Sequence, residues 1–344
     1  MSEASSKFSS LKRQFERLID EASMQSVSRE VDQLASKVKT LPGEIEEVRG
    51  RGYAFRSYLE NKADVLQEHW SDIRRRVQRA IDREVEELRE DVDEAETMVE
   101  RGERVEDDEE RLEGIVDRIE GVVDRLEARV DAASRRLRGM YETLKSDTDD
   151  TERQLSQIKW VCDMKDEASF EFLAGESVFL AAEAEWAQSG NKKEDPDGIL
   201  FLTDQRLVFE QKEKVGKRFG FFGGKDVQEL ELDVPLHQIE KVDSENKGFF
   251  GGRDMLYFTM REGPHSTLTI ELKGSADNDF WLKQINRMAT GEVDDERAIP
   301  ADPELIEKLQ NAPTQCHVCG ATVPMITAGQ MQVECEYCGS VIRL

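Results

Sequence analysis

Cys316, Cys319, Cys335 and Cys338 form two C-x-x-C pairs, 15 residues apart, in a chain of 344 residues. Two short turns that each present two thiolates can surround a single tetrahedral ion. Gly320 and Gly339 follow the two pairs, and glycine readily takes the positive φ that turns the chain back and aims backbone N–H groups at sulfur. Four thiolates leave no coordination position open to water, so a structural ion is expected, with Zn2+ as the cofactor and rubredoxin-like iron as the alternative. Such a short segment, with few large apolar side chains, cannot bury enough surface to fold alone. Metal binding must therefore supply its folding free energy. His317 lies between ligands and is read as a bystander.

A second feature is a repeat. Phe219-Gly220-Phe221-Phe222-Gly223-Gly224-Lys225-Asp226 returns as Lys247-Gly248-Phe249-Phe250-Gly251-Gly252-Arg253-Asp254. Lys212, Lys214, Lys217 and Arg218 precede the first copy. Apolar rings beside cations suit insertion among anionic headgroups, which makes Lys217, Arg218, Phe221, Phe222, Lys225, Lys247, Phe249, Phe250 and Arg253 candidate lipid- or partner-binding residues. The competing reading is that the glycines form tight turns and the rings plug the end of a barrel. Catalytic signatures such as G-x-S-x-G, G-x-x-x-x-G-K-[ST] and H-E-x-x-H are missing, and His69, His237, His265 and His317 are scattered, so no enzyme is expected.

Three regions must position these residues. Residues 1–165 carry the 4,3 apolar spacing of a helical coiled coil, most regularly through Leu112, Val116, Ile119, Val123, Leu126, Val130, Ala133, Leu137, Met140 and Leu144. Breaks are expected near Pro42 and at Gly102, giving three helical segments. An antiparallel hairpin folded at Gly102 and a long parallel dimer both fit, and either way the stripe needs a helical partner, so self-association as an oligomer is expected. Cys162, near a seam position at the end of the coil, is read as a buried thiol. The Phe8–Ala22 stripe reads as a bundle face, with a membrane-surface helix as the alternative.

From about residue 166 the apolar period becomes 2, and seven strands are expected, beginning at Val178, Ile199, Arg206, Val227, Ile239, Met255 and Thr267. A helix capped by Asp277 or Asn278 follows, burying Trp281, Ile285 and Met288. Residues 292–312 read as a hinge with a short helix, and residues 313–344 hold the cysteines.

Gly198-Ile199-Leu200-Phe201-Leu202-Thr203-Asp204-Gln205-Arg206-Leu207-Val208-Phe209 resembles the G-x-L-x-L-T-x-x-R-L-x-F signature of GRAM and bacterial PH-like domains, and Val234–Val242 is similar to the segment that follows it in them. The resemblance covers about residues 170 to 290, within a domain of residues 166–291, and implies a PH-like seven-stranded β-barrel with a C-terminal capping helix. It carries no ligand assignment, because such domains bind phosphoinositides, other lipids, peptides or proteins. The cysteine segment resembles a small β zinc ribbon.

Charged residues make up 35% of the chain, with 74 acidic against 48 basic for a net charge of -26. That field repels nucleic acid, and from Asn311 onward Arg343 is the one basic side chain. No window is apolar enough to span a bilayer. The chain therefore reads as a multidomain, non-enzymatic cytoplasmic adaptor, peripheral at the inner face of the membrane if its loops insert. In this reading it self-associates through the coil, binds a membrane or protein surface through the β domain, and docks proteins through the ribbon. A purely protein-binding scaffold without lipid affinity is the alternative.

Overall fold

The computed structural model describes residues 3–189, 195–215, 225–247, 252–302, 313, 315–323, 332–335, 337–343. Two compact units divide the chain, one of residues 1–44 and 60–153, the other of residues 45–59 and 154–344.

The helices are α1 (Glu3–Ala22), α2 (Gln25–Gly50), α3 (Tyr58–Glu103), α4 (Glu109–Gly139) and α5 (Glu142–Glu167); α1, α4 and the parts of α2, α3 and α5 within residues 1–44 and 60–153 make up the first unit, and the end of α2, the start of α3 and the rest of α5 belong to the second. Lys7 pairs with Asp117 at 2.8 Å and Lys37 with Asp149 at 2.7 Å, so α1 and α2 run in the same direction as α4 and α5. Arg129 pairs with Asp91 at 2.6 Å and Arg136 with Glu84 at 3.2 Å, so α3 runs against α4. The result is a three-rod bundle in which every α4–α5 seam residue named above except Met140 is buried within one chain. Within the chain the partners of this stripe are α1, α2 and α3. The α1 stripe, through Phe8, Leu11, Phe15 and Leu18, is likewise buried.

The breaks also differ from expectation. Helix α2 runs straight through Pro42. A proline has no N–H for the carbonyl of residue i−4, and here that carbonyl, on Val38, accepts the Gln67 side-chain amide at 3.4 Å. Gly102 lies inside α3 and the chain reverses just after it, which fits the antiparallel hairpin. A Cβ at Gly102 would overlap the Phe8 ring and Ile119, so glycine is there for close packing. Asp108 caps α4 by accepting from the Arg111 N–H.

In the second unit, β1 (Val178–Trp186), β2 (Asp197–Thr203), β3 (Arg206–Val215), β4 (Lys225–Pro235), β5 (Ile239–Lys247), β6 (Arg253–Met260) and β7 (Thr267–Leu272) form one antiparallel sheet, ordered β4-β3-β2-β1-β7-β6-β5. All seven expected strands are present. Helix α6 (Asn278–Ala289) is capped by Asp277, buries Trp281, Ile285 and Met288, and packs on β5 and β6.

Strands β1–β3 are buried on both faces, which explains their near-continuous apolar runs. Val178, Ile199, Phe201 and Val208 lie under Val161, Trp160 and Met164 of α5 and under Phe170 and Phe172. Residues 292–302 are no hinge where they are described. Val293 is fully buried, Arg297 pairs with Asp204, and the Ala298 N–H donates to the Ala54 carbonyl at 2.7 Å. The expected short helix after Asp302 lies outside the described residues. Two short strands, β8 (Gln332–Glu334) and β9 (Val341–Arg343), pair antiparallel near the cysteines.

Candidate functional site

The four cysteines converge. Their sulfurs all lie within 4.8 Å of one another, with Cys316–Cys338 at 3.7 Å and Cys319–Cys335 at 3.5 Å. A tetrahedral ion with metal–sulfur bonds of about 2.3 Å holds its sulfurs about 3.8 Å apart, so the donor set fits one ion. The backbone makes the same turn twice. Gly320 N–H donates to the Cys316 carbonyl and Gly339 N–H to the Cys335 carbonyl, each at 2.8 Å. Both glycines have positive φ, +72° and +67°, as the turn requires.

The electrostatics agree with a cation-binding site. The Ser340 hydroxyl, 3.0 Å from the Cys316 sulfur, together with the N–H groups of Cys319 and Val318, holds the Cys316 thiol down to about 5. Ser340 also lowers Cys338. The Ala321 N–H favours a Cys319 thiolate, yet the adjacent Cys338 sulfur, desolvation and the other two sulfurs push that thiol up to about 12. Four sulfurs this close cannot all ionise unless a cation offsets their repulsion. Cys162 is buried elsewhere, and burial raises its thiol.

The paired-phenylalanine repeats are reached through the strands that carry them. One row of paired residues crosses the whole sheet, Glu229–Gln211–Gly198–Ala184–Leu272–Asp254–Asn246. Strands β3 and β4 stay paired for four positions beyond that row, to Val215 and Lys225, on the side toward which β1 ends. Strands β5 and β6 continue for one pair, Lys247–Arg253, on the side from which β1 begins. By strand direction the strand ends that flank the two repeats therefore lie at opposite ends of the sheet.

Lys217, Arg218, Phe221, Phe222, Phe249 and Phe250 lie outside the described residues, and Lys225 is described in its backbone alone. Lys247 sits 5.0 Å over the Tyr257 ring and 3.3 Å from Glu245. Arg253 is drawn inward, its Nε donating to Glu271 at 2.7 Å. Glu271 stands directly across from Glu185 on β1, and both are buried. Like charges so placed repel, and Arg253 with Lys273, 2.7 Å from Glu185 and 3.3 Å from Glu271, neutralises them.

The T-x-x-R residues of the resemblance motif prove structural. Thr203 Oγ1 accepts from the backbone N–H groups of Gln205 and Arg206 at 3.1 and 2.9 Å, closing the β2–β3 turn. Arg206 is buried and reaches both oxygens of buried Glu176 at 2.9 Å, Asp233 at 2.5 Å and the Glu171 carbonyl at 2.9 Å. Every donor direction it uses is engaged inside the domain.

One feature had no sequence signal. A cavity of about 760 Å³ opens beside the start of β1 and the β7–α6 connection, lined also by α5 and by the loop between α2 and α3. The apolar letters Tyr53-Ala54-Phe55 in that loop look like helix seam, so neither the loop nor the cavity could be read from periodicity.

No protein-family model and no curated protein matches the chain. Among solved structures it is similar to a pleckstrin homology domain from Shewanella amazonensis, at 22% identity over 39% of this chain and 97% of that one, TM-score 0.25. It is similar to a DUF1696 family protein with a pleckstrin-homology domain from Shewanella loihica, at 18% identity over 39% and 92%, TM-score 0.24. It is also similar to the Vps36 N-terminal PH domain, at 15% identity over 35% and 92%, TM-score 0.24.

Proposed function

We propose that the chain is a non-enzymatic adaptor whose β domain attaches to an anionic membrane surface through the β3–β4 connection, with the four-cysteine module as a Zn2+-stabilised ribbon that docks a protein. The observation that carries this reading is the register of the sheet: β3 and β4 remain paired four positions past the row that crosses all seven strands. Their connection contains Lys217, Arg218, Phe221 and Phe222 and is followed by Lys225. Rings below the headgroups and cations among the phosphates give such a segment affinity for anionic lipid.

The buried charges of the β domain support a binding rather than a catalytic role, because Arg206, Glu176, Glu185 and Glu271 are held in internal pairs. No helix among the described residues is long and apolar enough to cross a membrane, which suits peripheral attachment at a cytoplasmic face. Self-association is not required by this reading. A protein-binding scaffold without lipid affinity is the second reading, favoured by the opposite placement of the two repeats, since one flat bilayer is less readily met by both.

Co-sedimentation of the zinc-loaded chain with vesicles separates them. Pelleting with anionic but not neutral vesicles, lost at high salt, is expected. A chain that stays in the supernatant with both at low salt would leave the protein-binding reading.

A further inference from the structure

Arg56 is the residue that the fold explains least. It lies in the loop between α2 and α3 with a left-handed backbone, φ +58°, a conformation that costs an ordinary L-residue about 1 kcal/mol or more. It is only 8% exposed. Its backbone carbonyl accepts from Arg49 at 3.1 Å, yet among the described residues its guanidinium has no hydrogen-bond or ion-pair partner. Its guanidinium nitrogens are not among the sealed, unpartnered polar atoms, so they meet the cavities that Arg56 lines rather than the core. Strain and an unpaired charge at one residue point to function rather than to folding.

The surroundings say what it serves. Arg56 and Gln157 line both the larger cavity and an adjoining one of about 330 Å³. The larger is walled by Ile158, Trp160, Val161, Phe179 and Trp281, and the smaller offers Gln154 and Gln284. The other charged side chains of the larger cavity are accounted for. Lys273 is held by Glu185 and Glu271, Asp277 caps α6, and Glu183 is exposed.

The loop is fixed rather than free. Arg49 ties the carbonyls of Tyr53 and Phe55 at 2.8 and 2.6 Å, Tyr53 donates to the Phe179 carbonyl at 3.3 Å, and Ser57 N–H to the Glu296 carbonyl at 2.9 Å. Phe55 lies between the Phe179 ring, 5.0 Å away, and Arg297, 4.7 Å away. Arg56 is thus pre-positioned at the junction of an apolar and a polar chamber, the form of a ligand pocket.

We infer that these joined cavities bind a small amphiphilic anion, its carboxylate or phosphate head on Arg56 and its apolar body against Trp160 and Trp281. The site is separate from the β3–β4 connection, so either assignment can fail alone. Trp160 and Trp281 supply the readout: quenching of tryptophan fluorescence in the full zinc-loaded chain by chain-brominated dodecanoate, below its micellar concentration. Dodecanol competes for the apolar wall alone, dodecyl phosphate reports on the head, and inorganic phosphate tests the head without the tail.

Saturable dodecanoate binding is expected, weakened about tenfold or more in Arg56→Gly and retained in Arg56→Lys, as loss of one charge-assisted contact requires. Tighter binding of dodecyl phosphate would assign a phosphate head within the same proposal. Arg56→Gly also removes the backbone strain, so it should melt no lower than the parent while losing the ligand. A merely structural arginine would do the reverse. The inference is overturned if dodecanoate does not bind, if dodecanol binds equally well, if Arg56→Gly binds as the parent does, or if Glu183→Gln alone abolishes binding.

Discussion

Replacing Arg206 by methionine removes the cation from a cluster in which the arginine and Glu176 side chains are 3% and 0% exposed. Breaking a buried pair by deleting one partner costs about 3–5 kcal/mol, because the remaining carboxylate stays desolvated. Thr203 still donates to Glu176 at 2.7 Å, which offsets only part of that cost. In urea unfolding of the full chain, followed by Trp186 and Trp281 in the β domain, a slope of about 2 kcal/mol/M places the midpoint of Arg206→Met roughly 2 M below the parent. Arg206→Met with Glu176→Leu should recover part of the loss, since a well-packed apolar pair often replaces a buried ion pair at little cost. A single variant within about 1 kcal/mol of the parent, or a double variant that loses the sum of both singles, would refute the assignment of the T-x-x-R residues to folding.

One Zn2+ per chain is expected by metal analysis, and chelation should abolish protection of residues 313–344 from proteolysis while leaving the β-domain melting transition in place. Because the seams are buried within one chain, sedimentation equilibrium at micromolar concentration should give the monomer mass of 39.3 kDa. A concentration-dependent dimer would contradict the three-rod packing. The carboxyl of Glu30 is lowered, first by the Arg138 guanidinium 2.9 Å away, and Asp149 is lowered, first by Lys37. A depressed carboxylate stabilises the fold fully above its unfolded value, about 4, and that contribution disappears as pH falls through the folded value. Glu30→Gln should therefore narrow the loss of bundle stability below pH 4, measured by thermal melting, and leave the trend at pH 6–8 unchanged.

How much of this was legible in the residues depended on whether the signal was local. The cysteine turns were, because C-x-x-C-G fixes both ligand spacing and the residue able to take positive φ. The seven strands and the Asp277 cap were, because period 2 and cap chemistry act over a few residues. Pro42 misled because its consequence is settled by Gln67, 25 positions away, which meets the freed Val38 carbonyl. The partner of the seams was left open because a heptad stripe records that a helix must be met, without saying from which chain. Arg56 left no trace at all. Its left-handed φ and its lack of a partner come from a loop held between β1 and the segment after α6, contacts far apart in sequence.

In the proposed reading the β domain meets an anionic surface through the β3–β4 connection. The most direct measurement compares two folded double variants in vesicle co-sedimentation, Phe221→Ala with Phe222→Ala against Phe249→Ala with Phe250→Ala. Loss of anionic-vesicle binding in the first pair and its retention in the second is the predicted result. Binding unaffected by the first pair, or abolished only by the second, would contradict the account.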